Sequence, residues 1–390
     1  MNYERIIVVM KHDLIGYPPM LSLLNCLLDL KKEVVYVGTY SVVGGKEQLM
    51  KRGVIFEDIG YNPRLNIKNG FIRHVSILSN MLRYKHEFKR VINRIRPNKE
   101  DLFWVVFSNL AAPICNTLKE FNYVVQFYEF MDADFGGRFK RLFPSYNAES
   151  FLTSAKKIVH CEYNRAVIMN GRYGITGDNY ILPNKPYLNN ESLDSVPEDI
   201  DSQIQVLKQR LFGKRVIIYQ GIFSAEERPL DAFCEAIGHL SDDIVLVIMG
   251  EGKGYLESIK EKYASERIVF VPFIRPPFHL LVTQMASIGI LSYFPVKSSL
   301  EAVINPLYCA PNKIFEYSRF SKPMISNEVP ALRYVFDRYG CGEIIGSMPT
   351  PTSIADCVLK IFSDYENYCN GSKKYYDSVD TLSIVSSIIS

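Results

Sequence analysis

At 390 residues the chain is long enough for two domains, and at 47% hydrophobic and 22% charged it can build a core in each. A formal net charge of +3 gives no global electrostatic footprint for nucleic acid, so any basic partner surface must come from local clustering. Eight cysteines (26, 115, 161, 234, 309, 341, 357 and 369) show no metal-ligand or redox spacing and lie mostly in apolar runs. With no secretory leader in MNYERIIVVMKHD, this predicts a reduced, cytoplasmic protein. The longest apolar run, LFWVVFSNLAAPICNTL, carries Ser108 and Asn109 and is too short to cross a bilayer. Peripheral contact with the inner face of the cell membrane stays open.

In chain order, short β-branched runs alternate with longer stretches of helical period. The first half offers RIIVVM, EVVYVGT, VIFEDIG, DLFWVVFS, YVVQFYEF, KKIVHCE and YILPN as strands. They are near-continuous apolar runs, the pattern of parallel strands buried on both faces. Residues 185–210 are polar, acidic and proline-containing, and read as a linker running into a helix. The alternation then restarts with RVIIYQG, IVLVIMG, RIVFVPF, IGILSYF, KPMIS and GEIIG. The expected fold is α/β: two doubly wound, Rossmann-like parallel-sheet domains facing a cleft, with ligands at the carboxyl ends of the strands. The expected division is 1–185, a linker over 186–210, 211–370, and a tail over 371–390 that returns to the first domain.

One helix start stands out, in YCAPNKIFEYSRFSKP over 308–323. Pro311 suits the first helical position, and neither Cys309 nor Ala310 can cap the helix with a side-chain oxygen. The first N–H groups therefore suit a phosphate, with Lys313 adding charge. Glu316 lies about 60° round the same face and can accept from two adjacent ribose hydroxyls. An ordinary i, i+3 surface ion pair accounts for the same spacing.

The block APNKIFEYSRFSKPMISNEVPAL resembles the donor-nucleotide signature of GT-B glycosyltransferases, especially family 4. IIYQGIFSAEERPLDAF, LVIMGEGKGYLESI, RIVFVPFIRPPFHLLVTQMASIGILSYFP and AKKIVHCEYNRAVIMN with YILPNKP fall in the family's order over nearly the whole chain. The resemblance implies transfer of a sugar, with retained configuration, from a nucleoside-diphosphate sugar, UDP-linked, to a glycan or lipid-linked acceptor. It puts Glu316 on the ribose, and Arg228, Lys313, Asn312 and the Gly221 loop at the diphosphate. Main chain around Phe273 to Arg275 lies near the base. Gly16, after the first strand, is placed in the loop that approaches donor phosphates or acceptor. Two positions depart from the family: Tyr308 stands where a second glutamate is usual, and Ile222 where an arginine often follows the glycine. The family needs no metal or other cofactor, and no metal-ligand spacing occurs here.

In the first domain, QFYEFMDADFGGRFKR puts Tyr128, Glu129 and Asp132 at a strand end. Glu129 and Asp132 are candidate catalytic or sugar-binding carboxylates, with Tyr308 as the third catalytic position; a capping role for Asp132 or Asp134 fits equally. His12 reads as a loop histidine. GEGKG at 250–254 lacks the spacing and the downstream acid of a dinucleotide site and reads as a tight turn. Residues 83–99 hold seven Lys and Arg against Glu87, with Phe88, Val91, Ile92 and Ile95 as an apolar strip. That is a candidate surface for an anionic membrane, or an ordinary surface helix; nucleic acid is disfavoured for want of aromatic interleaving. A nucleotide-sugar epimerase of the same fold and a catalytically silent glycan-binding partner subunit are the alternatives.

Overall fold

The computed structural model describes residues 3–42, 45–62, 66–135, 140–187, 196–252 and 254–390. The chain divides into two units, Met1–Pro183 with Thr381–Ser390, and Asn184–Asp380. Each is built around its own parallel sheet.

The first unit holds β1 (Arg5–Asp13), β2 (Glu33–Thr39), β3 (Val54–Asp58), β4 (Leu102–Val106), β5 (Asn122–Phe127), β6 (Lys157–His160) and β7 (Tyr180–Ile181). They pair in the order β3-β2-β1-β4-β5-β6-β7, all in parallel. All five residues of β4 are buried, as helices on both faces require. One polar exception is satisfied internally: the Trp104 indole donates to Gln126 Oε1 on the neighbouring strand at 2.7 Å.

The second unit holds β8 (Arg215–Gln220), β9 (Ile244–Met249), β10 (Ile268–Val271), β11 (Ile288–Leu291), β12 (Met324–Ser326) and β13 (Gly342–Ile344). Their order is β10-β9-β8-β11-β12-β13, again all parallel. Alternate residues of β8 enter opposite cores: Val216 and Ile218 pack on one face with Met249 and Phe315, Ile217 and Tyr219 on the other with Leu246 and Ile248. In both sheets the order reverses beside the first strand, between β1 and β4 and between β8 and β11. Those crevices are where open α/β sheets take ligands.

Boundaries differ from the expectation at three places. The expected linker does run into a helix, Glu198–Arg210, but Ile200, Ile204 and Leu207 of that helix join the second unit's core, so that unit begins before 211; 188–195 lie outside the described residues. The Tyr365–Asp377 helix also belongs to the second unit, so the chain rejoins the first at Thr381 rather than near 371. There the Thr381–Ile389 helix buries Val385, Ile388 and Ile389, Lys157 donates to the Ser387 carbonyl at 2.7 Å, and Tyr3 N–H to that of Ile389. Third, Pro311 is the N-cap of the Asn312–Arg319 helix, not its first residue, and makes no side-chain cap.

Candidate nucleotide site in the second unit

The Asn312–Arg319 helix is held on its sheet by Tyr317, which is buried beneath β11. A Cβ on Gly289 would lie 2.3 Å from the Tyr317 ring, so only glycine there admits it. The phenol spans the carbonyls of Ile218 and Ile290, on the two strands flanking the switch point, at 3.4 and 3.3 Å. This anchor sets the rotation of the helix and with it the directions of Lys313 and Glu316.

Glu316 is only 8% exposed, and each oxygen of its carboxylate is contacted from within the unit. Gln220, the last residue of β8, donates to Oε2 at 2.6 Å, and Thr283 donates to Gln220 Oε1 at 2.7 Å, fixing which way the amide faces. His279 Nε2 lies 3.2 Å from Oε1, while its Nδ1 is buried without a partner among the described residues. Burial works to raise the Glu316 pKa, and His279, Gln220 and Lys313 together outweigh it, so the carboxyl sits below its ordinary value. The result is a preoriented anion with lone pairs left to accept further hydrogen bonds.

One turn earlier, the Lys313 ammonium lies 4.4 Å from the centre of the Tyr219 ring and 5.2 Å from that of Tyr293. The Arg228 guanidinium lies 5.3 Å from the same Tyr293 ring. Burial, and then the Arg228 charge, lower the Lys313 pKa to about 7. Gly221, at φ +124°, turns the chain out of β8 in a left-handed conformation, and a Cβ there would sit 3.5 Å from Lys313 Nζ. Asn327 fastens the Tyr293 backbone, accepting from its N–H at 2.8 Å and donating to its carbonyl at 2.5 Å. Two close cations beside an uncapped helix start make an anion-seeking surface next to a hydroxyl-seeking carboxylate.

The expected residues are only partly gathered here. Lys313, Glu316, Arg228 and Gly221 cluster, and Asn312 opens the helix. Phe273 and Arg275 are exposed in the loop after β10, with Arg275 6.0 Å from the Phe278 ring. Tyr308 ends the Leu300–Leu307 helix, and its hydroxyl has no hydrogen-bond partner among the described residues. Ile222 is 68% exposed and brings no charge. The GEGKG segment is a turn, in which Glu257 accepts from the Gly254 N–H at 3.2 Å; Lys253 lies outside the described residues.

In the first unit, Gly16 ends a short turn with open space where a Cβ would go. Glu129 is exposed at the end of β5. Asp132 is engaged by its neighbours: Arg172 pairs with it at 2.5 Å, Tyr173 donates to it, and the Asp134 N–H donates to it at 2.9 Å. These partners suit the capping or turn-holding role that the sequence leaves open for Asp132 beside the catalytic one. In the apolar strip of residues 83–99, Phe88 and Val91 are buried and Ile92 and Ile95 half-buried in the helix Gly70–Ile95. Gln220, His279, Thr283, Tyr219 and Tyr293 were not anticipated; the one local signal was His279 and Thr283 at i, i+4 on a single helix.

No protein-family model matches the chain, and no curated protein does. Solved structures match over nearly its whole length. The Anabaena protein HepE, in complex with UDP and glucose, superposes with a TM-score of 0.65 at 11% identity, covering 99% of this chain and 98% of that one. A glycosyltransferase from Rickettsia africae gives 0.66 at 13%, covering 100% and 97%. A putative UDP-N-acetylglucosamine 2-epimerase from Listeria monocytogenes gives 0.62 at 10%, covering 98% and 94%. The two-sheet architecture is that of the GT-B glycosyltransferases.

Proposed function

We propose that the chain is a glycosyltransferase of the family 4 type that takes a sugar from a UDP-linked donor and passes it, with retention, to a glycan or lipid-linked acceptor. The observation that carries this is the buried Glu316 carboxylate, aimed by Gln220 and His279 beside Lys313 and Arg228 at the β8–β11 switch point. Glu316 takes the ribose hydroxyls. Lys313, Arg228 and the first N–H groups of the Asn312–Arg319 helix take the diphosphate. Charge growing on the departing diphosphate then meets groups already in place, without a metal, which is the main catalytic contribution expected of such a site. Asn312 adds to this diphosphate cradle, and the Phe273–Arg275 loop serves the base. UDP is preferred because HepE structures hold UDP and UDP-glucose.

The first unit is assigned the acceptor, with Glu129 as its carboxylate. The cations of 83–99 are assigned to an anionic membrane surface at which a lipid-linked acceptor would be met. Among the described residues no helix is long and apolar enough to cross a membrane.

Incubation with a panel of nucleotide-sugars and glycan acceptors tests the reading. Free nucleoside diphosphate is expected; an altered sugar still joined to its nucleotide would make the protein an epimerase, and no turnover a silent partner. By calorimetry, Glu316→Ala should weaken UDP binding about tenfold or more, as losing charge-assisted hydrogen bonds does, and Glu87→Ala should not. Equal affinities for the two variants would remove the site assignment.

A further inference from the structure

The switch point of the first unit, between β1 and β4, carries a cation of its own. Lys11, near the end of β1, is half-buried with its ammonium 4.8 Å from the centre of the Tyr61 ring. Burial alone lowers its pKa, with no carboxylate acting on it, and no described residue forms an ion pair with it. The nearest acid in sequence, Asp13, accepts from the N–H groups of Ile15 and Ser41 at 3.1 and 3.2 Å. Across the crevice, beyond β4, the Asn109 side chain interacts with Tyr61, and its Oδ1 is buried without a partner among the described residues.

Beside Lys11 stands an aromatic stack. His12 lies on Tyr17 with centroids 5.4 Å apart and planes within 17°, and Tyr17 packs on Tyr128 at 5.7 Å. Glu129 follows Tyr128 and is close enough to raise the Tyr17 pKa beyond the effect of burial. A desolvated cation without an internal counter-charge costs stability unless something outside the chain compensates it. An aromatic face next to it offers apolar contact to the C–H face of a sugar ring, and an exposed carboxylate accepts hydrogen bonds from hydroxyls.

We infer that the crevice at the carboxyl ends of β1, β4 and β5 binds a sugar bearing an oxyanion, a carboxylate or a phosphoryl group. Lys11 holds the anion, His12 and Tyr17 carry the ring, and Glu129 takes a hydroxyl. That this sugar is the acceptor rests on the donor reading of the second unit; the binding itself does not.

The test uses the full chain saturated with UDP, and ligand-observed NMR titrations with methyl β-glucuronide, glucose 1-phosphate and methyl β-glucoside. At least one anionic sugar should bind about tenfold more tightly than the neutral one, as a charge-assisted contact provides. Which of the two leads identifies the carboxylate or the phosphoryl. Lys11→Met should level the three affinities, and Lys11→Arg should keep the preference. Equal binding of neutral and anionic sugars would overturn the inference. So would a preference that survives Lys11→Met, or one found only in a parallel titration without UDP, which would place Lys11 in the donor site. Loss of the donor reading is seen separately, as UDP affinity indifferent to Glu316→Ala with the Lys11 preference intact.

Discussion

Lys313 concentrates the chemistry of the second unit in one titratable group. Its pKa near 7 reflects burial and the neighbouring Arg228 charge. A bound diphosphate brings negative charge beside it and so raises that pKa, which means that binding takes up a proton when the free group is neutral. The sign follows: nucleotide affinity is greatest where Lys313 is already charged and falls as pH rises through 7. We predict about tenfold weaker UDP binding at about pH 8.5 than at about pH 7, with proton uptake visible as a buffer-dependent calorimetric enthalpy. Lys313→Met should bind weakly at both pH values and show no such uptake. A wild-type affinity flat over that range would remove Lys313 from the diphosphate. The sequence placed Lys313 and Glu316 together because helical spacing is local. It could not show Gln220, whose bond to Glu316 spans 96 positions, or the Thr283 bond to Gln220, which spans 63. A glutamine at a strand end and a histidine in a helix carry no pattern until the fold brings them to one carboxylate.

Among elements, the strands were the most legible part. Eleven of the thirteen lie within runs read from the sequence, because strands buried on both faces are near-continuously apolar; β1 extends three residues past RIIVVM and β5 begins one residue before YVVQFYEF. Helix faces were less so. In the Gly70–Ile95 helix an apolar strip at helical period is equally a membrane face or a core face, and packing chose the core for Phe88 and Val91. The exposed apolar residues of this helix are instead Phe71, Ile72, Val75 and Leu82, in its first half, next to the exposed Arg73 and Arg83. Further along, Lys89 and Arg90 are exposed as well. A membrane role would therefore combine cations from the second half with apolar contact from the first. Sedimentation with vesicles rich in anionic lipid should show binding that weakens with salt and falls on reversing Lys89 and Arg90 to Glu. No change on charge reversal would leave the helix a plain surface element.

For the whole molecule, the order of the chain has an energetic consequence. The second unit is closed by contiguous sequence, but the first needs its last ten residues, Thr381–Ser390, to return after the second is complete. The helix there is an apolar cap, with Val385, Ile388 and Ile389 all buried and a carbonyl receiving the Lys157 ammonium. Full burial of such side chains contributes about 1.5–3 kcal/mol each, so three are a large share of the 5–15 kcal/mol that typically holds a domain. Ending the chain after Asp380 should therefore lower the melting temperature of the first unit while the second keeps its own. UDP supplies the control, because a ligand raises the transition only of the unit that binds it. In scanning calorimetry of the shortened chain, an early transition insensitive to UDP and a later one raised by it are expected. If instead UDP shifted the early transition, or the shortened chain melted like the intact one, the nucleotide would belong to the first unit or the cap would not matter to it.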